Sequence, residues 1–336
     1  MHGDPIERAA PVAEPSDAAQ AGPLARVKRL VRPLFALLAA VFVVLVAKDM
    51  AGRFSGVKVA VGWPWVLAAV GPGLAAVLCQ FQGWWLLVLH WTGHAMPRRH
   101  ALRVYMDAQL ARYTPGKVGL VAVRVARAQS LGLSSQLMIS TLLGEVLVWV
   151  ACGTFLSGLL ILTQAEVVGM SRAFTVASEF LSYLGAAACA GLLLLLFVPQ
   201  RLWPSAVLQL LGARQDGPLM PAVVPGFLLL HFLASALSGA CLVLALGGAW
   251  PQGIYLGAVV CVATVAGFLA LLAPAGLGVR EAMIALFAEP VLGAEAAVAL
   301  GLLARGVSLV SELTLFVALR LVKTRPVSLN EPPGQQ

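Results

Sequence analysis

Residues Ala294–Val322 read AEAAVALGLLARGVSLVSELTLFVALRLV. The run exceeds the roughly 20 apolar residues that a helix needs to cross about 30 Å of hydrocarbon. Two charges, Arg305 and Glu312, interrupt it. Gly301, Arg305, Ser308 and Glu312 follow one another at steps of four, three and four, which places them on one helical face. A charge at the middle of a bilayer costs about 2.5–3.5 kcal/mol on insertion scales. Such groups face the bundle interior, pair with one another and mark pathways. The stretch therefore reads as a membrane-spanning helix with a polar stripe turned toward other helices.

The rest of the chain agrees. Of 336 residues, 60% are hydrophobic and 11% charged, with a mean hydropathy of +0.89. An average soluble domain carries about 25% charge. One soluble core could not hide this much apolar surface, and a disordered chain shows the opposite composition. Long apolar runs lie at about Pro33–Ala51, Trp63–His90, Gln136–Leu162, Phe180–Val198, Val224–Leu246, Tyr255–Leu272 and Ala294–Val322. A shorter run, Val279–Ala288, follows Pro274 and is too short to span alone. The expected fold is an all-α, polytopic membrane helix bundle of about seven or eight crossings. It includes two Pro/Gly-broken or re-entrant elements and a candidate inverted repeat. Residues 1–25 are expected to form a disordered cytoplasmic tail, 26–325 the helical domain and 326–336 a short C-terminal tail. Met1–Gly22 has no apolar segment of the kind a cleavable leader carries.

Net charge is +8, from 23 Lys+Arg and 15 Asp+Glu. The basic residues cluster beside apolar runs, which points to orientation and lipid headgroups rather than to nucleic acid. Arg26, Lys28, Arg29 and Arg32 precede the first run, and seven basic residues fall in Pro97–Arg127. With the N-terminus inside, the connections carry seventeen Lys/Arg inside and four outside, and both termini are cytoplasmic. The tryptophans near the ends of the second run (Trp63, Trp65, Trp84, Trp85, Trp91) read as interface anchors. The five cysteines sit in apolar stretches without CxxC or Cys/His spacing and read as small buried hydrophobes.

Two interruptions share a pattern. Pro115-Gly116-Lys117-Val118-Gly119 is followed by Arg124, and Pro274-Ala275-Gly276-Leu277-Gly278 by Arg280 and Glu281. Proline removes a helix donor and restricts the residue before it, so a break is predicted at each. Ala101–Tyr113 and Val118–Gln129 read as two short helices, either interfacial or re-entrant, or as amphipathic helices of an ordinary cytoplasmic loop. Broken helices in two halves of a membrane chain point to a substrate site at a repeat interface. Glu145 in the third run, with Thr141 and Cys152 on its face, and His231, Ser235 and Ser238 in the fifth add polar stripes. Gly71-Pro72-Gly73 is a kink candidate.

Catalytic signatures are thin. The chain has no HExxH, no Walker A loop and no GxSxG. His90 and His94 are four apart, but no nearby carboxylate completes a metal site. Neither metal nor cofactor is expected, and enzymatic activity is the less favoured reading.

At its two breaks the sequence resembles the lysylphosphatidylglycerol synthase transmembrane-region family, the membrane part of bacterial lipid-aminoacylating flippases and their stand-alone relatives. The first block is Tyr113-Thr114-Pro115-Gly116-Lys117-Val118-Gly119, Arg124, Leu131-Gly132-Leu133-Ser134 and Glu145. The second is Ala273-Pro274-Ala275-Gly276-Leu277-Gly278-Val279-Arg280-Glu281, with Arg305 in the next helix. Val146 stands where the family often has Arg, and Ala275 where Gly is common. In the family, aminoacylation resides in a soluble domain after the membrane part, whereas this sequence ends at Gln336, shortly after the last run. The resemblance thus implies the translocating part, in a bacterial inner membrane.

The leading expectation is a flippase-like translocase for an anionic phospholipid or lipid-linked precursor. The expected substrate-binding residues are Pro115, Gly116, Lys117, Gly119, Arg124, Glu145, Pro274, Gly276, Gly278, Arg280, Glu281, Arg305 and Glu312. The arginines and Lys117 would hold the headgroup phosphate. The glutamates would neutralise them in its absence and meet an amino group, and the glycines would let backbone N–H groups approach. The alternatives are a membrane lipid-headgroup transferase and an accessory subunit of a membrane glycosyltransferase or aminoacyltransferase. Expected partners are the lipid, a second copy of the chain or a membrane enzyme.

Overall fold

A computed structural model of the chain describes residues 59–93, 96–113, 118–165, 183–188, 220–270 and 278–321, with isolated positions between them. Every regular element among these residues is helical. In chain order they are α1 (Trp63–Thr92), α2 (Arg98–Ala111), α3 (Val118–Arg127), α4 (Ser135–Ala165), α5 (Val223–Ala245), α6 (Trp250–Leu269), α7 (Val279–Leu292) and α8 (Ala294–Leu321). Five of them, α1, α4, α5, α6 and α8, are long and apolar enough to cross a membrane. They correspond to the second, third, fifth, sixth and last apolar runs. The first run, most of the fourth and both tails lie outside the described residues.

The spanning helices turn branched aliphatic side chains outward. Leu67, Leu147, Leu230 and Val310 are exposed in the absence of lipid. Small residues bring helices close. In the α5–α6 hairpin, closed by Gly247 at φ +82°, Ala236 and Ala240 face Gly253 and Gly257. A Cβ on Gly239 would stand 2.9 Å from the Gly257 Cα, so only glycine fits there. This is the packing that membrane helices use when apolar burial gives no net drive. The Gly62 N–H donates to the Ala245 carbonyl at 2.7 Å and fixes the start of α1 against the end of α5. A core of Tyr255, Leu256, Val259, Ile284, Phe287 and Leu300 packs α6, α7 and α8 together.

Several details differ from the sequence expectation. Helix α2 begins at Arg98 and stops at Ala111, and the following segment is α3 plus a 3-10 turn, Gln129–Leu131, ended by Gly132 at φ +72°. Helix α7 runs past Ala288 through Pro290 to Leu292, where Gly293 at φ +85° stops it. Its length of about 21 Å at 1.5 Å per residue still falls short of the hydrocarbon core. Helix α1 stays continuous through Pro72, and Gly73 makes room for Ser311 of α8.

The tryptophans divide. Trp63 and Trp65 are exposed at one end of α1, where Trp65 meets Trp250 at the start of α6 edge-on, as an interface belt requires. Trp84, Trp85 and Trp91 are buried instead, because α2 and α4 cover that end of α1. Cys152, Cys241 and Cys261 are buried, Cys79 is half-buried, and all four are free thiols. Cys189 lies outside the described residues.

Candidate functional site

Helix α2 enters the bundle alongside α8. Near the α8 C-terminus, the Arg103 guanidinium donates twice to the Leu319 carbonyl, at 2.7 and 3.1 Å. Unsatisfied carbonyls at a helix C-terminus attract such a cation. One turn on, Asp107 accepts from Arg127 of α3 at 3.1 Å and from Arg320 of α8. At the inner end of α2, Arg112 pairs with Glu312 and the Tyr113 hydroxyl donates to Glu312 Oε2 at 3.3 Å. These contacts descend α8 from Arg320 to Glu312. The α2–α3 segment therefore dips into the bundle, as a re-entrant element does, rather than lying as a cytoplasmic loop.

Three carboxylates organise the centre. Glu145 of α4 accepts from Arg124 Nη1 at 2.8 Å and from the Tyr105 hydroxyl at 2.7 Å. The Arg124 guanidinium lies 4.6 Å from the ring centres of both Trp84 and Tyr105, a cation resting against two adjoining rings. Glu312 holds Arg112 and Tyr113. Glu281, in the first turn of α7, pairs with Arg305 of α8 and accepts the Gly278 N–H at 2.9 Å. Gly278 sits at φ +84°, which suits glycine. Arg305 lies about 16 Å along α8 from its start and Glu145 about 15 Å along α4 from its start. Both groups thus lie well inside helices of spanning length rather than at their ends.

Between these pairs is a cavity of about 70 Å³, lined by Arg112, Arg124, Glu145, Arg280 and Arg305 together with Gln80, Gln109 and Trp149. A second chamber of about 90 Å³ shares Gln80, Arg112, Trp149, Thr264 and Arg280 with it and continues toward His231, Ser235, Ser238, Ser308 and Glu312. Residues that line the first chamber carry donors that no described group satisfies. Arg124 Nε, Arg280 Nε, Arg305 Nε and Trp149 Nε1 are buried and have no hydrogen-bond partner among the described residues. Arg124 and Arg305 each have a carboxylate on another edge of the guanidinium. Arg280 forms no ion pair with any described residue. Four arginines thus meet three carboxylates, and the surplus positive charge lies at Arg280.

Of the residues singled out in the sequence, Arg124, Glu145, Arg280, Glu281, Arg305 and Glu312 converge here from α3, α4, α7 and α8. Gly119 is buried in α3. Gly278 caps α7, and its N–H is given to Glu281 rather than left for a ligand. Pro115, Gly116, Lys117, Pro274 and Gly276 lie outside the described residues, as does His94. The polar stripes of α4, α5 and α8 turn inward, fully buried except for the half-buried Ser235 and Ser308, with His231 Nδ1 against the Ala76 carbonyl at 2.8 Å and Ser238 donating to Ala69 at 2.8 Å. Arg112, Tyr105, Tyr113, Trp84 and Gln109 belong to the same centre, although none of them is among the substrate-binding residues expected from the sequence. Arg112 counts in the sequence as one more inside-facing loop charge, and its tie to Glu312 has no local signal. Among the described residues no group of His, Cys, Asp and Glu is disposed to hold a metal ion.

Helices long and apolar enough to cross a membrane, packed around a buried, ion-paired polar centre, define a polytopic membrane protein. The family model for the lysylphosphatidylglycerol synthase TM region matches residues 30–315, and the chain belongs to that family. Membership marks a membrane protein of lipid-related function. None of the curated proteins compared with the chain matches it.

Proposed function

We propose that the chain is an inner-membrane translocase for an anionic phospholipid or lipid-linked precursor. The observation that carries this reading is the cavity around Arg280 inside the helix bundle, with unsatisfied donors on its lining residues and one positive charge that no described carboxylate contacts. An oxyanion supplies what the cavity lacks: a negative charge and acceptors for guanidinium and indole N–H groups. The carboxylates Glu145, Glu281 and Glu312 hold the other arginines while no lipid is bound. The headgroup then passes through the polar centre while the acyl chains stay in the bilayer. No nucleotide-binding motif is present in the sequence, which fits passive or ion-coupled movement.

The test is reconstitution into liposomes with a fluorescent anionic phospholipid, read by quenching from the outer leaflet. The wild-type chain should move the lipid faster than empty liposomes. Arg280→Gln should slow it about tenfold or more, the worth of one charge-assisted contact. Movement no faster than in empty liposomes, or an Arg280→Gln rate equal to wild type, overturns the reading.

A further inference from the structure

The first cavity takes polar side chains from α1, α2, α3, α4, α6, α7 and α8. Its aliphatic and phenyl side chains come from three helices alone. Among the described residues they are Leu120 of α3, Val146 of α4 and Phe268 of α6. These three are not scattered around the cavity, because they belong to one apolar cluster. One side of a polar chamber is thus closed by hydrocarbon.

That side is thin. Val146 and Phe268 line the cavity and yet are only partly buried. In each of the three helices the next residue faces out, since Val121, Leu147 and Leu269 are exposed. A single layer of side chains therefore separates the cavity from the surface that these helices turn to lipid.

The walls differ in what it costs to part them. Separating α8 from the inner end of α2, or from α7, breaks Arg112–Glu312 or Arg305–Glu281 and strands charges inside the bundle. Separating Leu120 from Phe268 exchanges apolar contacts for contacts with lipid chains, which are as apolar as leucine. The Arg124–Glu145 pair keeps α3 on α4. Helices α3 and α6 each pack on α4 but share no extensive contact of their own. The weak line in the wall therefore runs between α3 and α6, over Val146.

We propose that Leu120, Val146 and Phe268 form the site for the hydrocarbon chains of the transported lipid. With the phosphate at Arg280, the chains leave the cavity between α3 and α6 and lie against these three side chains. This rests on the translocase reading and adds the route by which the chains stay in the bilayer.

Phosphatidylglycerol with a photoactivatable diazirine in one acyl chain tests the route. The full chain is reconstituted in liposomes containing it, irradiated, and the labelled residues are mapped by mass spectrometry. Leu120, Val146 or Phe268 should be labelled in the wild type. That labelling should fall about tenfold in Arg280→Gln, the worth of one charge-assisted contact. Labelling of Leu67 and Leu230, which meet bulk lipid, should not change and reports an intact fold. In the liposome transport assay Val146→Trp, which fills the seam, should lose most of the lipid movement, whereas Leu147→Trp, one residue on and facing out, should keep it. A wild-type chain that moves lipid but is labelled only at outward residues, or is labelled at the seam equally with Arg280→Gln, overturns the route and leaves the translocase reading standing. So does lipid movement by Val146→Trp equal to that of Leu147→Trp. Neither lipid movement nor seam labelling in the wild type overturns both.

Discussion

Arg124 and Glu145 meet at 2.8 Å with side chains 1% and 3% exposed, and the Tyr105 hydroxyl closes the other carboxylate oxygen. The pair ties α3 to α4 inside the bundle. Two charges brought out of water together are costly, and one left alone costs more. Glu145→Leu alone should therefore destabilise the chain by about 3–5 kcal/mol. The double variant Arg124→Met with Glu145→Leu should recover most of that loss. Thermal unfolding in detergent measures both. A double variant no better than the single would show that a stranded Arg124 is not the source of the loss.

Tyr105→Phe removes one donor and almost no volume. Glu145 keeps Arg124, so the loss should be about 1.5–3 kcal/mol, the range for a hydrogen bond to a charged group. Denaturation of the variant beside wild type reads it. A cost near that of Glu145→Leu would mean that the hydroxyl, rather than Arg124, holds the carboxylate.

Arg280 should behave in the opposite way. Removing a member of a pair strands its partner, but Arg280 has no paired carboxylate among the described residues to strand. Arg280→Gln should leave the unfolding temperature unchanged or raise it, while lipid movement falls. Unfolding and liposome transport measured on the same preparation separate this from a folding defect.

Gly257 packs against the Ala236 carbonyl so closely that a side chain has no space. Gly257→Leu should force α5 and α6 apart at a cost of about 1–3 kcal/mol, typical of overpacking. Leu147→Ala, on the outward face of α4, should change stability by no more than about 0.5 kcal/mol. Comparing the two variants checks that the α5–α6 contact and not general apolar content sets the packing.

The sequence makes some of this centre legible and hides the rest for physical reasons. Glu145, Arg305 and Glu312 stand out because a charge within an apolar run has no solvent to explain it. Gly278, Arg280 and Glu281 stand out through the break before them. Arg112 does not, because α2 is polar enough to read as an interfacial helix, and its insertion depends on contacts with Glu312, Leu319 and Arg320, some 200 residues away in the chain. Tyr105 and Trp84 both lie against Arg124, yet an aromatic residue in an apolar stretch gives no hint of a cation beside it. Trp84, Trp85 and Trp91 show the converse error. Tryptophan near a helix end suggests a headgroup anchor, but α2 and α4 fold over that end and make it interior. The spanning helices are read correctly because hydropathy depends on local composition, whereas burial of a helix end depends on what packs across it.

Glu281 has two attachments: one oxygen completes the first turn of α7 through the Gly278 N–H, and the other holds Arg305 on α8. Binding at one attachment is consequently felt at the other. An anion that competes for Arg305 frees Glu281 to settle on the start of α7, and a change that loosens that first turn alters how tightly Arg305 is held. Thermodynamic reciprocity makes the two effects equal in free energy. Whatever an anion at Arg305 would do to the firmness of the α7 start, firmness at that start would do in equal measure to the hold on the anion.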